Sequence, residues 1–248
     1  MFLKACINGS RRPAEHPGLP TTSAAIAAEV ARVVAAGADA VHLHVKDREG
    51  SDTLDGEAMS TVLEAVRSAT ADVPVGVTTG AWATPDPDER LQRIRQWSPQ
   101  PALPDFASVN WHEDGADEIA RTLLAMGVGV EAGLWHSEGV EAWVRSPYRD
   151  DCCRILLELP ADLSASATIV EADRLVEQVR AVAHPAVPVL LHGEGNSCWP
   201  ALDHALRIGL QTRIGLEDVL VLPDGSTAPD NATLVATARS LHLSRTAD

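Results

Sequence analysis

Short apolar runs alternate with longer segments of helical periodicity along this whole chain, and that rhythm leaves few architectures open. Strand-like runs fall at residues 3–8, 40–45, 75–79, 106–110, 128–133, 154–159, 187–191 and 212–215. Helical segments are expected at 22–37, 56–69, 86–97, 116–126, 138–144, 166–183, 200–208 and 231–241. Such regular alternation argues for parallel strands joined by right-handed crossovers. Eight pairs in 248 residues fit an α/β chain folded as one (β/α)8 TIM barrel, a single domain over residues 1–248. The competing doubly wound sheet usually carries GxGxxG after its first strand, and that turn is missing here. His192-Gly193-Glu194-Gly195-Asn196 contains GxG, but it follows the seventh run and lacks the third glycine.

In a barrel, chemistry collects at the C-terminal ends of the strands. Those positions here form a polar set: Asn8, His42, His44, Thr78, Thr79, Asn110, Glu131, Glu158, His192, Glu194, Arg213, Glu217 and Asp218. His42 and His44 lie two residues apart, so the strand period puts both imidazoles on one face, ready for a divalent transition metal such as Zn²⁺. Alone, an HxH is more often one core histidine and one cap. The eighth run adds Arg213-Ile214-Gly215-Leu216-Glu217-Asp218, which a closed barrel brings near the second strand. Two histidines and one carboxylate with an open position are a catalytic ligand set. Neighbouring residues on an extended segment point opposite ways, so Glu217 and Asp218 are expected to differ in role. If Glu217 binds metal, Asp218 is free to act as a base, and Arg213 either holds an anionic substrate or orients that base. Read without the histidines, the pair serves equally well as a helix cap.

The charge balance narrows the partners. With 20 Lys plus Arg against 35 Asp plus Glu, the net charge is −15, and no basic patch suits nucleic acid. No apolar run is long enough to span a bilayer and no leader is recognisable, which points to a cytoplasmic protein without membrane contact. The cysteines at 6, 152, 153 and 198 have no CxxC spacing and read as reduced thiols.

At these residues the chain resembles the β-keto acid cleavage enzymes, a zinc-dependent family typified by the 3-keto-5-aminohexanoate cleavage enzyme. The likeness rests on Ile7-Asn8-Gly9-Ser10 with Pro17-Gly18-Leu19-Pro20, on 37–45 around the two histidines, on Thr78-Thr79-Gly80, on Ser108-Val109-Asn110 and on 213–218. It implies a TIM barrel with Zn²⁺, or another divalent transition metal, on His42, His44 and Glu217. It further implies Asp218 as catalytic base, assisted by Arg213, with the Thr78 hydroxyl in place of the family's serine. The implied reaction joins a β-keto acid to acetyl-CoA, giving acetoacetate and a new acyl-CoA. Asn8, Arg11, Thr79, Asn110, Glu113, Glu131 and Glu194 are the candidate substrate contacts.

The chain also departs from the family. Arg11 and Arg12 stand where better-known members are acidic, which suggests a neutral or anionic substrate tail. Trp111-His112-Glu113-Asp114 replaces a hydroxyl-bearing loop, and CoA is expected to enter over the barrel mouth. The resemblance implies a homotetramer or homodimer, with Trp82, Trp111, Trp135 and Trp143 as exposed interface candidates. Two other readings compete: a metal-dependent hydrolase or aldolase acting on a small oxo acid without CoA, and a degenerate scaffold.

Overall fold

The computed structural model describes residues 1–70 and 72–246. Eight strands run in chain order as β1 (Leu3–Cys6), β2 (Ala40–Leu43), β3 (Val75–Thr78), β4 (Phe106–Asn110), β5 (Gly129–Leu134), β6 (Arg154–Leu159), β7 (Val189–Gly193) and β8 (Thr212–Ile214). The helices are α1 (Ser23–Ala35), α2 (Gly56–Ala69), α3 (Pro87–Arg95), α4 (Ala116–Ala125), α5 (Ser137–Arg145), α6 (Ala165–Arg180), α7 (Cys198–Arg207) and α8 (Asn231–Thr246). All strand pairs are parallel, in the order β7-β6-β5-β4-β3-β2-β1-β8. Closure between β7 and β8 is made just ahead of β8. Gln211 donates to the Val189 carbonyl at 3.1 Å and accepts from Leu191 N–H at 2.9 Å. The fold is therefore the TIM barrel that the alternation predicts.

Local chemistry explains where the helices start. Thr22, Asp55, Asp86 and Ser164 each accept a hydrogen bond from a backbone N–H of the following turn, capping α1, α2, α3 and α6. The strand period then sorts side chains into two layers. Leu3, Ala5, Val41 and Leu43 are fully buried under the helices, while Lys4, Cys6 and His42 alternate with them and face the barrel axis. Among the described residues no helix is long and apolar enough to cross a membrane.

Several expected boundaries shift. Strand β2 ends at Leu43, so His44 stands just beyond it, and β7 begins at Val189, which places His192 inside the strand. The tryptophan expectation needs correcting. Trp111 and Trp143 are buried at 4% and 1% exposure, Trp143 on α5 and Trp111 after β4, and they belong to the packing between barrel and helices. Trp82 and Trp135 line the cavity at the barrel mouth. The four do not form a shared outer surface.

Candidate active site

The cavity at the C-terminal mouth of the barrel has a volume of about 290 Å³. His42, His44, Glu217, Arg213, Glu158 and Glu194 line it, together with Thr78, Ser108, Asn110, Leu156, Trp82, Trp135 and the Ser10–Arg11 edge. Among the described residues, His42, His44 and Glu217 form the group whose donor atoms converge enough to hold a cation, all within 4.8 Å of one another. His42 Nε2 lies 4.0 Å from one Glu217 oxygen, and His44 Nε2 lies 3.8 Å from the other. Both imidazoles thus turn the same ring nitrogen inward. Burial, reinforced by the neighbouring His44, pushes the His42 pKa well below the usual value, so its imidazole is neutral and able to coordinate. Glu217 Oε2 has no hydrogen-bond partner although it is buried. An orphaned carboxylate oxygen facing two inward imidazole nitrogens is the donor set a divalent transition metal needs.

Glu217 reaches this position because residue 9 is glycine. Gly9 has φ +55°, and a Cβ there would sit 2.4 Å from Glu217 Cγ. Lys46 fixes the same turn from below, donating to the Gly9 carbonyl at 2.6 Å and the Arg11 carbonyl at 3.0 Å.

Arg213 is buried beside the carboxylates. Its Nη2 donates to Asp218 Oδ1 at 2.7 Å, and it lies 3.1 Å from a Glu217 oxygen and 3.9 Å from Glu158. Asp218 is fully buried, stands behind the cavity wall, and its Oδ2 has no partner. Burial outweighs the Arg213 guanidinium and moves the Asp218 carboxyl above the usual carboxylate range. His192 lies 3.7 Å from Asp218 and 3.3 Å from Glu158. Burial, with the Glu158 carboxylate close by, pushes Glu194 up to about 8.

The remaining substrate candidates divide. Asn110 lines the cavity, as does Thr78, whose hydroxyl accepts from Gly80 N–H at 3.0 Å. Asn8 does not. Its side chain is buried and clamps the His44 backbone in both directions, at 2.9 and 2.8 Å. Thr79 donates to the Ser108 carbonyl, and Glu113 is held by Arg90, the Ala81 N–H and Asn110. Glu131 is corrected outright. It belongs to the barrel floor, fully buried against Lys4 at 2.5 Å and Arg154, because it lies near the start of β5 and not at its end. Arg11 lines the rim, but its Nε donates to the Leu216 carbonyl and its Nη1 pairs with Glu15 at 3.1 Å. Sequence reasoning missed Asp52, Trp82, Trp135 and Ser108 as site residues. For Ser108 the signal was present, two residues before Asn110 on the same strand face.

Comparison with known proteins adds independent findings. The family model described as beta-keto acid cleavage enzyme matches residues 1–245. A 3-keto-5-aminohexanoate cleavage enzyme of Fusobacterium nucleatum subsp. nucleatum is 34% identical over 120 residues, which are 48% of this chain and 43% of that protein. The enzyme of the same name from Acetoanaerobium sticklandii is 31% identical over 120 residues, 48% of this chain and 42% of its own length. The apo structure of ObcA superimposes with a TM-score of 0.72 at 20% identity, covering 93% of this chain and 63% of that one. A ternary complex of ObcA with C4-CoA adduct and oxalate gives 0.73 at 20% identity, covering 93% and 65%. The chain thus aligns with under half the length of these curated relatives and under two thirds of the ObcA chains.

Proposed function

Because the chain belongs to the beta-keto acid cleavage enzyme family, we propose that it cleaves a β-keto acid with acetyl-CoA, yielding acetoacetate and a new acyl-CoA. The observation that carries this reading is the convergence of His42, His44 and Glu217 on one wall of the cavity at the barrel mouth, with Arg213 buried beside them. The ObcA complex named for a C4-CoA adduct supports a thioester partner for this barrel type.

His42, His44 and Glu217 would hold the metal, Zn²⁺ by donor preference. When bound, such an ion supplies Lewis-acid polarisation of substrate oxygens. The protein's own groups do the rest. Arg213 offers a fixed guanidinium to a carboxylate or to negative charge developing at the reacting carbon, at a wall where solvent is scarce. Asp218 is the base in this reading, held by Arg213 on Oδ1. Because it stands behind the cavity wall, its proton comes by way of His192, whose ring spans from Asp218 to the cavity-lining Glu158. The Thr78 hydroxyl and Asn110 position the substrate from β3 and β4. A cavity of about 290 Å³ accommodates a small keto acid and leaves the CoA to approach over the mouth.

The test is a panel of β-keto acids offered to the metal-loaded protein with and without acetyl-CoA. Acetoacetate formed only when acetyl-CoA is present supports the proposal. Turnover indifferent to acetyl-CoA favours a hydrolase or aldolase on the same metal. No turnover of any keto acid by protein that has bound one metal per chain counts against both.

A further inference from the structure

Asp52 lies in the turn after β2, eight residues beyond His44, and its carboxylate is shared among three donors. His44 Nδ1 lies 2.7 Å from Oδ2, and Trp82 Nε1 donates to the same Oδ2 at 2.9 Å. Lys46 Nζ donates to Oδ1 at 2.6 Å. The side chain is 5% exposed, so these partners and not water satisfy it. The turn that carries it is built for the purpose, with Lys46 and Asp52 paired as an antiparallel bridge across it.

Each contact constrains a different part of the site. A carboxylate on His44 Nδ1 keeps the proton there, so Nε2 presents its lone pair towards Glu217, 3.8 Å away. Trp82 stacks on the His44 ring with centroids 5.9 Å apart and planes at 11°, and its indole forms a cavity wall next to Trp135. Trp82 is 43% exposed, so packing alone does not fix it. The hydrogen bond to Asp52 and the stack on His44 do.

We propose that Asp52 is a positioning residue that sets the coordinating tautomer of His44 and, through the same oxygen, holds Trp82 as the wall of the substrate cavity. This rests on the reading of His42, His44 and Glu217 as a metal site. It implies that the aromatic wall and the metal ligand move together, since one carboxylate oxygen serves both.

The experiment measures Zn²⁺ affinity by chelator competition on the wild type, Asp52→Asn, Trp82→Phe and His42→Ala, with far-UV dichroism and thermal unfolding as fold controls. Acrylamide quenching of tryptophan emission reports on Trp82, taken as the difference from Trp82→Phe. Asp52→Asn should weaken Zn²⁺ about 10- to 100-fold while the protein stays folded, and should raise the quenching of the Trp82 component. Trp82→Phe should bind Zn²⁺ within a few-fold of wild type. Wild-type affinity in a folded Asp52→Asn protein overturns the tautomer role, and unchanged quenching overturns the wall role. If Asp52→Asn does not fold, Asp52→Glu replaces it, and recovery of both readouts towards wild type is then expected; a folded Asp52→Glu protein that recovers neither overturns the proposal. If His42→Ala binds Zn²⁺ like the wild type, the metal reading beneath the proposal fails, a result distinct from failure of Asp52 alone.

Discussion

Asp218 and Glu217 are consecutive, yet the fold gives them opposite surroundings. Glu217 turns to the imidazoles with a free oxygen, whereas Asp218 is fully buried on Arg213. Asp218→Asn keeps the shape and the Arg213 contact through its carbonyl oxygen but removes the proposed base. Turnover should fall by about 10²–10⁴-fold with metal content unchanged. Glu217→Gln should do the reverse and lose metal first. If Asp218→Asn loses metal while Glu217→Gln keeps it, the two carboxylates are assigned in the wrong order. At this scale the sequence was informative wherever two residues share a strand face, as His42 and His44 do, or where an extended pair such as 217–218 must diverge. It was uninformative where a polar group spends itself on backbone. Asn8 looks like a substrate contact in the chain, but its amide is used up by Pro20 and His44. Asp52 could not be found from spacing, because a turn decides which side chains it meets.

Strand β8 is three residues long, and its end must lie against β1 for residues 213–217 to reach the histidines. Gly215 makes that approach possible. A Cβ there would stand 1.9 Å from the Cys6 carbonyl oxygen, a backbone atom that cannot swing away, and Glu217 N–H donates to that same carbonyl at 3.2 Å. Gly215→Ala should therefore part β8 from β1, costing about 1–3 kcal/mol or more in thermal or denaturant unfolding. Metal affinity should fall with it, since Glu217 is carried by the displaced segment; an Ala variant with wild-type stability would mean that the two strands have slack. Element type was legible because apolar runs and helical periodicity alternate without interruption. Element ends were not. The expected strand 187–191 slid to Val189–Gly193 because Pro188 has no N–H for the ladder and because Gln211 anchors the closure at Val189 and Leu191.

Closing eight strands leaves a floor beneath the cavity, and this chain fills it with charge. Lys4 from β1, Glu131 from β5 and Arg154 from β6 meet across the barrel axis, Lys4 and Glu131 both at 0% exposure, with the Phe106 ring 5.4 Å from the Lys4 ammonium. The barrel was legible as a whole, but this floor was not, since a lysine in a first strand carries no sign of a partner 127 residues away. Burial pulls the Glu131 carboxyl upward; Lys4 and Arg154 outweigh it and hold the pKa below the usual 4.5. A carboxylate with a depressed folded pKa adds stability that is fully present above its unfolded value. That stability is lost as pH falls from there through the folded value. Glu131→Gln leaves a buried ammonium unpaired, which at pH 7 should cost about 3–5 kcal/mol. For a chain of this size that is about 2–4 °C of melting temperature per kcal/mol. The gap between wild type and variant should be widest at neutral pH and should narrow below about pH 4.5, as Glu131 of the unfolded chain takes up a proton that the folded protein accepts only at lower pH. Unfolding curves collected from pH 7 to pH 3 measure that gap directly. A gap that stays constant over the whole range would mean that Glu131 holds the floor by shape and hydrogen bonding, with its charge contributing nothing.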